Sequence, residues 1–234
     1  MRYIEKNDPP QALLYWKAQR NAAAQTLDFA ELGRIEVNGE QVDVKKAIKF
    51  QRLKDQGFLC AYTMLRITAD TSHIEHLIPQ SKSRNEIQVE ESVEYGNMVA
   101  CYPGKESKGG TEFGATYRGD QFLALTPRDS RCEKLINYHQ NGTVTSEDLA
   151  VERMLHEVLN LNAFTLKERR RETLNRYGVG LRSENPLKIR QAERFANSVM
   201  NLNAHGELPS FCVALVHAAL EHIELLKKRR ERLR

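Results

Sequence analysis

His73, Glu75, His76 and Asn97 are the residues of this chain whose types and spacing suit chemistry. They lie in the runs His73-Ile74-Glu75-His76-Leu77-Ile78-Pro79 and Tyr95-Gly96-Asn97-Met98-Val99-Ala100-Cys101. Glu75 offers a hard oxygen ligand, and His76 an imidazole that titrates near neutral pH. Such residues suit metal-assisted hydrolysis, in which a divalent ion polarises the bond to be cut and a base deprotonates the attacking water. Glu75 is therefore expected as a metal ligand and His76 as the general base. His73 is expected as a second ligand, or as a group that orients Glu75 or His76. Asn97 is expected to brace the intervening loop and to hold the His76 imidazole, because an amide both donates and accepts. One constraint applies. Neighbours on an extended strand point to opposite sides, so Glu75 and His76 share a site only if the strand end twists or loops. A short His-rich string also suits a buried hydrogen-bonding cluster with no catalytic part.

An acidic residue directly before a His, a Pro close behind and an Asn further on resemble the layout of HNH nucleases. The chain as a whole is similar to one branch of that superfamily, the nuclease subunits of Septu-type and retron-associated bacterial defence systems (PtuB-like). The likeness begins at Met1-Arg2-Tyr3-Ile4, Pro9-Pro10 and Leu14-Tyr15-Trp16-Lys17. It continues through Cys60-Ala61-Tyr62, the His73–His76 run, Asn97 to Cys101 and Arg118-Gly119-Asp120. It ends with Arg131-Cys132-Glu133, Asn141-Gly142 and Leu159-Asn160-Leu161-Asn162. The resemblance implies a small ββα-metal core, a divalent ion (Mg²⁺ or Mn²⁺), cleavage of DNA or RNA, and a PtuA-like ATPase partner in antiviral defence.

The chain departs from that pattern in two places. Relatives carry a zinc knuckle, with a CxxC pair before the HIEH strand and two further Cys after the Asn. Here the first pair reads Cys60-Ala61-Tyr62-Thr63, and the expected final Cys falls at Phe113-Gly114. A structural zinc needs four N or S ligands, and of that set only Cys60 and Cys101 remain. Cys132 and Cys212 are too isolated to complete it. No structural zinc is expected, with Phe113 or its neighbours packing in its stead. The second departure concerns the last metal ligand. Its closest position is Ala115 or Thr116, and Ala cannot bind an ion. Asp120 is the nearest hard-oxygen donor and is taken as the substitute ligand, with helix capping as the other use for it. A second reading follows: a weakened HNH scaffold that binds nucleic acid or the ATPase without cutting.

Composition bounds the rest. The 234 residues are 41% hydrophobic and 28% charged, suited to a globular chain with a core. No apolar run reaches bilayer length, and Met1 to Pro10 has no signal-peptide character. Four scattered Cys suit a reducing cytoplasm rather than a disulfide framework. The net charge of +4 is mild, so its distribution matters more. Acids gather between Arg84 and Glu94, and bases between Lys167 and Arg190 and from Lys227 to Arg234. The basic runs suit phosphate contact by counterion release, or equally solvated helix ends.

Positioning elements can be read around the motif. Asp8 before Pro9 is expected to cap a helix carrying Leu13, Trp16, Ala23 and Leu27. Asn38-Gly39 marks a turn, and a helix from about Val44 to Gln56 stops at Gly57. Phe58 to Tyr62 reads as a short strand. Pro103 to Gly114, with Lys105 and Lys108, reads as a loop. Asn141-Gly142 signals a hairpin, and Ser146 a cap for a helix through Leu159. Cys212, Leu215, Val216, Ala219, Ile223 and Leu226 form a stripe that is either core or docking face. The expected fold is α+β, mostly helical, with a small ββα-metal core. Its regions are 1–58 (helical), 59–145 (nuclease core with hairpin) and 146–234 (helical).

Overall fold

The computed structural model describes residues 1–80, 89–104 and 112–233. Arg84, Glu86, Lys105, Lys108 and the Gly109-Gly110 pair lie outside them. The chain is α+β: helices dominate, and three two-stranded antiparallel sheets are placed between them.

The N-terminal part packs two helices beside a hairpin. Asn38 and Gly39, with φ of 54° and 85°, join β1 (Arg34–Val37) to β2 (Glu40–Asp43). Both turn positions lie in the left-handed region that a tight two-residue hairpin needs. α2 (Val44–Asp55) follows without a gap, and the Asp43 carboxylate caps it by accepting from the Lys46 amide at 3.0 Å. α1 (Gln11–Ala22) buries Ala12, Leu13 and Trp16, the last two beside Val44, Ile48 and Ile35 in one apolar cluster. Two expectations are corrected here. Asp8 caps nothing, since the helix starts after Pro10. Leu27 lies past the helix end at Ala22, although it is buried in the same cluster.

β3 (His73–His76) and β4 (Met98–Cys101) pair with His73 opposite Cys101 and His76 opposite Met98. β4 is buried along its whole length. Its other edge is satisfied by the buried Gln56 side chain, which accepts from Ala100 N at 2.8 Å and donates to Ala100 O at 2.8 Å and Leu59 O at 2.7 Å. The short strand expected over Phe58–Tyr62 is not formed. That stretch is a compact turn closed by a single Leu59–Arg66 bridge, with Phe58 and Met64 at positive φ. Apolar, aromatic content misled because it marks burial, and burial here is served by a turn.

The rest of the chain is mainly helical. α3 (Ala115–Arg118) and α4 (Cys132–Leu135) are single turns. Asn141-Gly142 closes the hairpin of β5 (Asn137–Tyr138) and β6 (Val144–Thr145), as expected. α5 (Leu149–Arg153) is capped by Asp148, two residues after the expected Ser146, and unwinds into a π turn at Met154–Val158. α6 (Phe164–Arg176), α7 (Ile189–Ser198) and α8 (Cys212–Arg232) complete it. Most of the stripe left open above is core: Cys212, Leu215, Ala219 and Ile223 are buried, and α7 packs on α8. Val216 packs against the larger apolar cluster, while Leu226 is only half-buried. The larger apolar cluster draws on Met1 and Ile4, on Leu59 to Ile67, and on Leu155 to Ala219. Among the described residues, no helix is long and apolar enough to cross a membrane.

Candidate functional site

The pleat of β3 decides what the motif residues can do together. His73 and Glu75 share one face, and Ile74 and His76 share the other. On the first face, Glu75 Oε2 stands 3.6 Å from His73 Nε2. His73 Nδ1 is 2.6 Å from the Pro103 carbonyl oxygen. A carbonyl can only accept, so the proton sits on Nδ1 and the Nε2 lone pair faces Glu75 whenever the ring is neutral. Burial pulls the His73 pKa down, but hydrogen bonds to Glu75 and Pro103 outweigh it and the net direction is up.

The other carboxylate oxygen is taken. Arg118, at the end of α3 and 1% exposed, donates to Glu75 Oε1 at 2.7 Å. It also donates to the Tyr62 hydroxyl at 2.9 Å and to the carbonyls of His76, Leu77 and Gln121 at 2.8, 2.6 and 2.7 Å. This guanidinium ties α3, the end of β3 and the Tyr62 turn into one unit, and it fixes the rotamer of Glu75. Its role was not legible beforehand. Its partners are mainly backbone carbonyls some forty residues away, which leave no mark on spacing.

His76 departs from its expected role. The strand end neither twists nor loops enough to bring it beside Glu75. Its ring is buried on the opposite face, with Nε2 2.8 Å from the Ser92 carbonyl and Nδ1 3.0 Å from Gln80 Nε2. The Phe29 ring meets it edge-on at 4.7 Å. Burial holds its pKa below the usual value. With both nitrogens engaged, the ring braces β3 against the Ser92 segment. In this structure it does not stand where a base for a water at Glu75 would stand.

Asn97 does half of what was expected. Its side-chain oxygen accepts from Ile78 N at 2.7 Å, and its amide donates to Glu91 O at 3.1 Å and Ile78 O at 3.3 Å. It therefore pins both ends of the segment between β3 and β4, but these bonds do not include the His76 imidazole. The turn carrying Asn97 is itself anchored by Arg52, which lies 3.3 Å over the Tyr95 ring and bonds Asp55 at 3.2 Å, while the Tyr95 hydroxyl donates to Asp55 at 2.6 Å. Asp120 does not join the pair. It lies in an exposed turn after α3, and no group of three His, Cys, Asp or Glu converges among the described residues.

The four positions of the incomplete knuckle lie close together. Cys60 and Cys101 share a hydrogen bond, Thr63 bonds Cys60, and the Tyr102 amide donates to Cys60 Sγ at 3.4 Å. Burial alone pushes the Cys60 thiol up, but these bonds outweigh it and the net direction is down; Cys101 is pushed up. The Thr63 methyl stands 3.3 Å from where a Gly114 Cβ would lie, and Phe113 is buried and stacked on Tyr102.

In the basic run from Lys167 to Arg190, Arg170 is set apart from Arg169, Arg176, Arg182, Lys188 and Arg190, which are exposed. Arg170 is buried between Tyr138 and Phe211 and bonds the carbonyls of Gly142 and Leu161, so it supports the hairpin and offers no surface charge. His156 pairs with Glu152, and His222 with the Leu187 carbonyl. A scan against protein-family models and a search of curated proteins both return no match.

Proposed function

We propose that this chain is a metal-dependent hydrolase of nucleic-acid phosphodiesters of the HNH kind, with His73 and Glu75 as the protein's ligands to the ion. One observation carries the reading: Pro103 O fixes the His73 tautomer, so that Nε2 presents its lone pair beside Glu75 Oε2 on a half-exposed strand face. A carbonyl behind the imidazole is the usual support for a metal-bound His. The donor set, one nitrogen and one carboxylate oxygen, fits a divalent ion that keeps other positions for water and phosphate, and suits Mn²⁺ better than Mg²⁺. When bound, such an ion polarises the phosphate and makes its water a stronger nucleophile.

The chain's own residues do the rest. Arg118 holds Glu75 by Oε1 and leaves Oε2 facing His73. Asn97, braced by the Arg52–Tyr95–Asp55 cluster, fixes the end of β4, and His76 supports β3 from beneath. We read β3, β4 and α3 as the small ββα unit, since Arg118 ties the helix to the strand. The resemblance to PtuB-like subunits supports control by a PtuA-like ATPase partner.

A second reading is favoured by Arg118 itself. A buried cation already meets Glu75, and the apolar Ala115 opens α3, so the same geometry suits a scaffold that binds without cutting. Incubation with the ATPase, ATP, Mg²⁺ or Mn²⁺, and both DNA and RNA separates the two. Ion-dependent cleavage that falls at least a hundredfold in both His73→Ala and Glu75→Gln supports the hydrolase. Binding without any cleavage supports the scaffold.

A further inference from the structure

A cleft of about 520 Å³ opens beside His73, between the start of α2, the turn before β1 and the turn at Ala69–Ser72. Its charged lining is uneven. Arg34, Lys45, Lys46 and Lys49 face it, against Asp43 and Asp70. The four cations do not have the same freedom. Lys49 donates to Ala69 O at 2.7 Å and Ser72 O at 3.4 Å, so it holds the cleft wall in place. Lys45 reaches Ala30 O at 3.3 Å and lies 5.1 Å over the Phe29 ring. Arg34 and Lys46 are exposed, and among the described residues neither is in an ion pair. Asp43 has one carboxylate oxygen committed to capping α2.

We infer that this cleft takes the phosphate backbone of a nucleic-acid strand and leads it to the His73–Glu75 pair, with Arg34, Lys45 and Lys46 contacting successive phosphates. The inference rests on the hydrolase reading for the destination of the strand, though not for its binding. Three features point to this ligand. The cations are spread along the cleft wall, which suits a linear polyanion. The contacts available are charges on flexible stems, the side chains that supply many of the phosphate contacts in nucleic-acid complexes. His73 belongs to the lining, so the cleft reaches one of the two candidate ligands, although Glu75 does not line it. The basic runs singled out in the sequence do not include these residues, since Arg34 sits on a strand and the lysines on a helix, separated in sequence and joined by the hairpin.

The test measures binding without cleavage. Fluorescence anisotropy of labelled duplex DNA and single-stranded RNA is followed in EDTA over a series of salt concentrations. The variants are Arg34→Gln/Lys45→Gln/Lys46→Gln and, as a comparison, Arg229→Gln/Arg230→Gln/Arg232→Gln on the C-terminal helix. Each phosphate contact contributes about −0.9 to the slope of log K against log salt on a duplex. The cleft variant is expected to lose at least tenfold in affinity and to flatten that slope by roughly 2–3, with an unchanged thermal melt. Affinity and slope equal to the parent chain, or the loss appearing in the C-terminal variant instead, would overturn the assignment, as would a parent chain that binds neither nucleic acid. Cleavage lost in His73→Ala with binding in EDTA retained leaves this inference standing, and an intact cleft with no cleavage under any ion condition counts only against the hydrolase reading.

Discussion

At the scale of single residues, Arg118 is the side chain on which the site depends most. A fully buried guanidinium bonded to a carboxylate, a hydroxyl and three carbonyls cannot be replaced by an apolar group without leaving acceptors unpaired. Breaking such a buried pair costs about 3–5 kcal/mol, and Arg118→Met is expected to lose that much in urea denaturation. A loss below about 1 kcal/mol, the scale of a surface ion pair, would show that the network is dispensable. His76 makes a prediction with a definite sign. Its folded pKa lies below 6.5 because the ring is buried. Above 6.5 both folded and unfolded rings are neutral and nothing is gained or lost; below it the unfolded chain takes up a proton that the folded one resists. Stability should therefore fall as pH drops through 6.5, and His76→Gln should flatten that part of the profile. His73, shifted up, works the other way, its contribution being lost as pH rises through its raised value. An unchanged slope in His76→Gln would show that its burial has no linked cost.

Among the elements, those announced by local chemistry were legible and those set by distant partners were not. Asn38-Gly39 and Asn141-Gly142 both close hairpins because these residues favour the left-handed region, which Asn38, Gly39 and Gly142 adopt. The helix after Asp43 likewise follows from its own cap and apolar spacing. The Phe58–Tyr62 turn was misread, since its apolar content reflects burial and not a strand. The helix expected through Leu159, by contrast, is formed from Leu149 to Val158 as an α turn followed by a π turn. The geometry of the candidate site was legible to a similar degree. The sequence pointed to His73, Glu75 and Asn97, and the pleat rule correctly stated why Glu75 and His76 would struggle to share a face. Arg118, the Pro103 carbonyl and the cleft lysines needed the fold to bring them in. The turn around Cys60 carries a prediction of its own. Two thiols remain, and the neighbouring positions hold Thr63 and the buried Phe113, so metal analysis of protein purified without added zinc should find no stoichiometric, chelator-resistant zinc. One tightly bound zinc per chain that is lost in Cys60→Ser would contradict this.

At the scale of the whole molecule, the question is which surfaces are left for partners once the core is assembled. The α8 stripe from Cys212 to Ile223 is used within the chain. Leu149 and Phe164, 85% and 72% exposed at the starts of α5 and α6, remain as apolar surface. Co-expression with the PtuA-like ATPase is expected to give a complex on size-exclusion chromatography that Leu149→Glu/Phe164→Glu weakens; two independent species under all nucleotide conditions would favour a free-standing enzyme. These assembly questions stand apart from the central claim, which is that one divalent ion binds between His73 and Glu75. The most direct measurement is a Mn²⁺ titration of the purified chain, with free Mn²⁺ counted by electron paramagnetic resonance. The account predicts about one ion bound per chain, lost in both His73→Ala and Glu75→Gln and retained in a folded His76→Gln. A parent chain that binds no Mn²⁺, or a His73→Ala/Glu75→Gln double variant that binds it as well as the parent, would contradict the account.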